Sequence, residues 1–227
     1  MPEQFAVDPA NPGEVLACAG LAWLAGVATP DAETGFAETG NRWEFRAPFP
    51  AELLNQLTVA APELEQDYVK VAGLRLDWWQ RPWGLNPAFK FWAGQQTAAS
   101  VLGNLLRACR GGSIDDWLNY AAPTGGRLGV DPRGTWDALS LGWSINEHKH
   151  IRMLCRPFVE TLAFLGLQVF PVQGDRQQGL RYHLWYPCRL TIARLAFAGY
   201  GGHKGPGHVA QTEKSGSNTY LKPATPV

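Results

Sequence analysis

The sequence predicts an α+β fold in which antiparallel strands carry buried helices, and three observations predict it. Residues 15–26 and 161–167 are apolar nearly all round a helical turn, so both helices belong in a core. Turn dipeptides, Gly40-Asn41 and Ala72-Gly73, separate short runs of strand-forming residues, which is the pattern of hairpins. The order strand, helix, hairpin strands then occurs twice along the chain.

The elements follow in order. Phe5-Ala6-Val7 reads as a short strand running into a turn. Asn11 is then an N-cap, Pro12 the first helical residue and Glu14 the acid of a capping box. Gly20 inside this helix costs about 1 kcal/mol against Ala, which predicts a close backbone contact there. Residues 34–39 and 42–46 form a hairpin, 50–59 a helix, 61–67 an acidic surface loop, and 68–71 with 74–79 a second hairpin. An amphipathic helix covers 95–109 and stops at Gly111-Gly112. A short helix over 113–120 has Ser113 as its cap and Asp116 at the third position. A turn-rich loop covers 123–134, a strand 136–143 and a basic connection 148–152. A helix spans 157–167, and strands follow at 168–172, 180–186 and 189–197.

Two segments echo each other. Glu14-Val15-Leu16-Ala17-Cys18-Ala19-Gly20-Leu21 parallels Glu160-Thr161-Leu162-Ala163-Phe164-Leu165-Gly166-Leu167. The repeated β-α-β-β order predicts two ferredoxin-like halves or one elaborated α+β sheet. The expected organisation is one α+β domain over 1–197, with pseudo-repeat halves 1–120 and 121–197. A Gly/Lys/Pro-rich tail over 198–227 is expected to be partly mobile.

Composition narrows the function classes. No run of about 18 apolar residues exists to span a membrane. The start, Met1-Pro2-Glu3-Gln4, lacks the basic region of a secretory leader, so a cytoplasmic protein is expected. Cys18, Cys109, Cys155 and Cys188 form no CxxC pair and read as reduced thiols. Residues 1–77 hold 4 Lys+Arg and 12 Asp+Glu, a net of −8, and the rest carries +8. That asymmetry points to a basic face that meets phosphate, or an acidic face that meets a basic neighbour. Several of the ten tryptophans sit beside cations, as in Trp78-Trp79-Gln80-Arg81-Pro82-Trp83, Lys90-Phe91-Trp92 and Arg181-Tyr182-His183-Leu184-Trp185-Tyr186. Rings beside cations suit single-stranded nucleic acid, while buried packing is the commoner fate of any one Trp.

Several segments resemble one family. They are residues 7–21, then Asp77-Trp78-Trp79, then Lys90-Phe91-Trp92-Ala93-Gly94-Gln95-Gln96. Asp131-Pro132-Arg133-Gly134, Leu141-Gly142-Trp143-Ser144 and residues 160–170 complete the set. In this order they are similar to the small third Csb protein of subtype I-G (formerly I-U) CRISPR systems, over about residues 5–197. The resemblance implies a place in or near an RNA-guided surveillance complex of antiviral defence, with other effector subunits as partners. Related subunits are often RAMP-like proteins of ferredoxin-like fold that hold guide RNA, many with a glycine-rich loop near the C-terminus. Residues 199–208 match that description, with Pro206 as a departure.

The expected role is therefore a non-catalytic subunit that binds guide RNA or target DNA and needs no cofactor. Its expected phosphate contacts are Arg127, Arg133, Lys149, Arg152, Arg156, Arg181 and Lys204. Its expected stacking platforms are Trp78, Trp79, Trp92 and Tyr182. One rival is a metal-independent endoribonuclease that processes CRISPR RNA, with His148, His150 or His183 moving protons. The other is a scaffold subunit that touches only protein. Zinc held by His148, His150, Cys155 and Cys188 matches no standard spacing, and no metal is expected.

Overall fold

The computed structural model describes residues 3–65, 68–77, 90–92, 96–134, 154–215 and 218–227. Two helices make its centre. Helix α1 (Pro12–Ala28) starts where the sequence predicts, with Asn11 Oδ1 accepting from the Glu14 N–H at 3.1 Å. Helix α4 (Pro157–Val169) also has proline in its first turn. Both are buried over most of their length, as their all-round apolar sequences require.

The two helices cross at their glycines. A Cβ on Gly20 would fall on the Leu162 carbonyl oxygen, and one on Gly166 would fall on the Leu16 carbonyl oxygen. The same Gly166 Cβ would lie 2.9 Å from the Gly20 nitrogen. The contact is reciprocal, position for position, across the two echoing segments. Close approach of the two backbones is what compensates the helical cost of glycine. Helices α2 (Ala51–Val59) and α3 (Ala98–Cys109) lie outside this pair, α3 against α4.

Strands β1 (Glu3–Val7), β2 (Glu33–Thr39) and β3 (Arg42–Ala47) form the N-terminal sheet, with β3 between the other two and antiparallel to both. Strands β1 and β2 are therefore parallel and joined through α1, a split β-α-β unit. Phe36 and Phe45 pair at its centre. Outside it, β4 (Glu63–Leu64), β5 (Val69–Val71) and β6 (Leu74–Leu76) form a small meander. Positive φ at Ala72 and Gly73 makes its tight turn.

The C-terminal half repeats the order strand, helix, hairpin strands along the chain but not the sheet, since the strand before α4 and the hairpin after it lie in different sheets. Strand β7 (Ala122–Pro123) pairs with β8 (Leu154–Cys155). A separate sheet runs β15 (Thr225–Pro226), β12 (Lys204–Ala210), β10 (Gly179–Trp185), β9 (Gln173–Asp175). The two halves share one aromatic core. Trp185 of β10 meets Phe36 and Phe45 edge-on and donates its indole N–H to the Thr34 carbonyl at 3.1 Å. Strand β11 (Cys188–Arg189) then joins the edge of β2.

Four expectations change. Residues 189–197 hold helix α5 (Leu190–Phe197) in place of a strand, because Ala193, Ala196 and Phe197 are buried at helical spacing. The strand expected at 168–172 begins only at Gln173, since α4 runs on and the Phe170 N–H still bonds the Gly166 carbonyl. The short helix expected over 113–120 is a single 3-10 turn, Ile114–Asp116, capped by Ser113. The expected tail folds: β12 occupies the edge of β10, and β13 (Thr212–Ser215) pairs with β14 (Asn218–Leu221). Hydrogen bonds from the Ala224 N–H to the Ala10 carbonyl and from the Leu221 N–H to the Gly129 carbonyl anchor it. An open strand edge is a strong template for pairing, and it outweighs the tail's polar composition. The strand expected at 136–143 lies outside the described residues.

All four cysteines are free and buried. Burial pushes the Cys109 and Cys155 thiols up to about 12, which keeps them protonated. Among the described residues no cluster could hold a metal, and no helix is long and apolar enough to cross a membrane.

Candidate nucleic-acid interface

Two of the expected phosphate-binding arginines, Arg156 and Arg133, pair with carboxylates, and a third, Arg127, meets a backbone carbonyl. Arg156, 5 % exposed, forks onto Asp131 through Nε at 2.6 Å and Nη2 at 2.5 Å. Its Nη1 donates to Glu14 Oε1 at 2.9 Å and to the Leu118 carbonyl at 3.0 Å. Arg133 is exposed but pairs with the same Glu14 oxygen at 2.5 Å. Arg127 is half-buried and donates to the Gly134 carbonyl. Bidentate pairing to a buried carboxylate holds a guanidinium far more firmly than a surface contact does. Arg156 therefore serves the core, and the expectation of a surface role for it is corrected.

Glu160 shares this polar core. It is 1 % exposed and accepts the backbone N–H groups of Leu128, Gly129, Val130 and Asp131. Burial and the neighbouring Asp131 push its carboxyl up, while the N–H donors and Arg127 oppose them. Burial also raises Glu14, against the Asp8 N–H and Arg156. Together these groups pin the 127–134 loop to the starts of α1 and α4.

Two expected stacking platforms are inside. Tyr182 is buried, lies between Phe197 and His208, and donates its hydroxyl to the Pro9 carbonyl at 2.8 Å. Trp92 is buried against Phe164, with the Lys90 ammonium 5.6 Å from its ring centre. Neither ring has a face for a base. Trp78, Trp79, Lys149, Arg152, His148 and His150 lie outside the described residues.

The surface that assembles cations with exposed rings is at the end of α5. The helix closes through bonds from the Gly199 N–H to the Ala196 carbonyl and from the Tyr200 N–H to the Leu195 carbonyl. Gly199 and Gly201 have φ of +90° and +82°, so the chain reverses there into β12. The turn exposes Tyr200, His203 and Lys204, with Tyr200 at 63 %. Arg181 is exposed on β10 opposite Val209, toward the other end of the pairing from Lys204, which lies opposite Trp185. Tyr186 is exposed just after β10, and its N–H bonds the His203 carbonyl at 2.8 Å.

His183 is slotted beneath this turn. A Cβ on Gly199 would come 2.9 Å from its Cε1, and one on Gly207 would come 2.8 Å from its Nε2. Two glycines thus make the slot. Burial, then the Lys204 charge, pull the imidazole below its ordinary value of 6.5, opposed by the Phe197 carbonyl. His183 is consequently neutral at pH 7. Sequence reasoning put Arg181, His183 and Lys204 among the candidate site residues, and held Tyr186, Tyr200 and His203 only as members of the segments 181–186 and 199–208. The signal for Tyr200 was its flanking glycines, which hold a ring in a turn where no core can cover it.

Compared with known proteins, the chain matches no family model, no curated protein and no solved structure.

Proposed function

We propose that this chain is a non-catalytic subunit of a type I CRISPR RNA-guided surveillance (Cascade-like) complex, where it binds guide RNA or target DNA. The observation that carries the reading is the glycine turn between α5 and β12. It presents Lys204, His203 and Tyr200 together, a cation with an exposed ring, and Arg181 adds a second exposed cation farther along the β10–β12 pair, opposite Val209. Single strands are held by that pairing of phosphate contacts and stacking. The family resemblance supports it, since related subunits carry a glycine-rich loop near the C-terminus. The split β-α-β unit and the reciprocal Gly20–Gly166 crossing support a ferredoxin-like, RAMP-like ancestry for the two halves.

The test is copurification of the tagged chain with its surrounding gene cluster. Defined-length CRISPR RNA and partner subunits should come with it. A protein that emerges alone and RNA-free, and binds no RNA at any salt, defeats this reading and favours the protein-only scaffold.

A second reading is metal-independent RNA cleavage, favoured by the neutral His183 beside Lys204. A neutral imidazole can accept a 2′-hydroxyl proton, and an ammonium can stabilise the charged phosphorane. Cleavage of repeat RNA by the wild-type chain, lost in His183→Ala with binding retained, would establish it.

A further inference from the structure

The 124–134 loop borders a cleft of about 370 Å³ built from residues other than those of the glycine turn. Its lining includes Arg127, Thr124, Thr219 and Gln96, with Phe91 and Trp92 on an apolar wall. Among the described lining residues there is no acidic side chain.

Arg127 is the unusual member. Its single hydrogen bond runs from Nη1 to the Gly134 carbonyl. Among the described residues, Nε and Nη2 meet no acceptor, and no carboxylate lies in ion-pair contact. The nearby carboxylates are committed elsewhere: Glu160 to four backbone N–H groups, Asp131 to Arg156. Burial pulls the guanidinium down from its ordinary range, opposed first by the Glu160 charge, and its unbonded nitrogens are not sealed from solvent, so they stay open to a ligand. A partly buried guanidinium with open donors holds an anion more strongly than a fully hydrated one does. Among the described residues the Thr124 hydroxyl meets only the Cys155 sulfur, at 3.4 Å, and the Thr219 hydroxyl has no hydrogen bond.

We propose that this cleft binds the phosphate monoester of a single nucleotide unit, with Arg127 forking onto the phosphate and the threonine hydroxyls completing the donor set. A guanidinium fork matches two phosphate oxygens at once. The apolar wall suits a sugar or base edge. The volume sits near the lower end of the roughly 300–1,000 Å³ typical of ligand sites, so it takes one unit and not a tract. The unit comes either from a free nucleotide or from the phosphorylated end of a strand. The inference goes beyond the interface proposed above and stands on separate residues.

The experiment uses the full chain and four probes: inorganic phosphate, AMP, and a short single-stranded RNA with or without a 5′-phosphate. Thermal shift and titration calorimetry read each one. AMP should raise the melting temperature of the wild-type protein in proportion to the logarithm of its concentration. Arg127→Met should abolish that shift, and Arg127→Lys should weaken binding about tenfold or more, because an ammonium cannot fork. Lys204→Ala should leave AMP binding unchanged, which separates this cleft from the glycine-turn interface. A preference of about tenfold for the 5′-phosphorylated RNA assigns the ligand as a strand end. AMP binding with equal affinity for the two RNAs assigns it as a free nucleotide. The proposal is overturned if no phosphate-bearing probe binds the wild-type chain at millimolar concentration, or if Arg127→Met binds as wild type does. Should Arg127→Met fail to fold, the wild-type titrations and Thr219→Val, expected to lose AMP affinity several-fold, decide alone.

Discussion

The starts of α1 and α4 carry the same residue in the same sequence context, and the fold treats the two differently. Glu14 meets side chains: Arg156, Arg133 and Asn11, with one backbone N–H from Asp8. Glu160 meets backbone, four successive N–H groups of the 128–131 loop. A carboxylate in a ring of guanidiniums is held by charge. A carboxylate in a ring of N–H groups is held by geometry and fixes the loop that supplies them. The pair shows that an internal echo preserves a helix crossing more faithfully than it preserves the chemistry at the helix ends.

The comparison can be broken most severely at the residue that links the two starts. Arg156 stands before α4 and pairs with Glu14 of α1 and with Asp131. Arg156→Met takes the shared guanidinium from two buried carboxylates, leaving Glu14 with Arg133 and Asp131 with hydrogen bonds to Asn11 and the Arg133 N–H, and should cost about 3–5 kcal/mol, read by denaturant unfolding. The crossing itself comes next. Gly20→Leu and Gly166→Leu should each destabilise by about 3 kcal/mol, the upper end of overpacking costs, because each new side chain meets backbone that cannot yield. The double variant should lose less than the sum, since one substitution already separates the helices. A neutral Gly166→Leu would mean the crossing is not symmetric.

Replacing each acid by its amide sharpens the contrast. Glu160→Gln turns an amide N–H₂ toward two backbone donors and should cost about 2–3 kcal/mol. Glu14→Gln sets one donor against the Asp8 N–H and should cost about 1–2 kcal/mol, since its oxygen toward Arg156 survives. Equal losses would remove the distinction between charge and geometry.

Acid separates the halves in another way. All five histidines fall within residues 148–208. Burial lowers both His183 and His208 below the ordinary 6.5. The unfolded chain therefore takes up protons first, so the stability these groups contribute is complete above 6.5. It is lost as pH falls from there through their folded values. Hydrogen-exchange protection factors, each referred to the intrinsic rate at its own pH, should fall in β10 and β12 from pH 7 to pH 5 while those of β1 and β3 hold. His208→Phe, which keeps the stack on Tyr182, should reduce the loss. The smallest effect on stability belongs to the surface. Lys204→Ala and Arg181→Ala should each change it by less than about 0.5 kcal/mol. Each should also flatten the salt dependence of single-strand binding by about 0.7 in log–log slope if it contacts one phosphate.

The local signals were legible because they are written in adjacent residues. Asn11-Pro12 with Glu14 announced a helix start, Gly40-Asn41 and Ala72-Gly73 announced turns, and Gly20 announced a close contact. The site was legible only in part. Arg181 and Lys204 are surface cations as expected, but Tyr182 and Trp92 went to the core, and the cation-rich pattern around them could not distinguish the two fates. Arg127, Arg133 and Arg156 read alike in the sequence. Their separate roles depend on which carboxylate lies within reach, and those carboxylates come from distant segments.

The sequence by itself determined the α+β class, the two buried helices and the tight hairpins, because periodicity and turn chemistry act over a few residues. Only the tertiary structure decided that the glycine-rich C-terminal segment is a strand, that 190–197 is a helix, and which arginines remain at the surface. Each of those depends on an edge, a face or a charge that a remote part of the chain supplies.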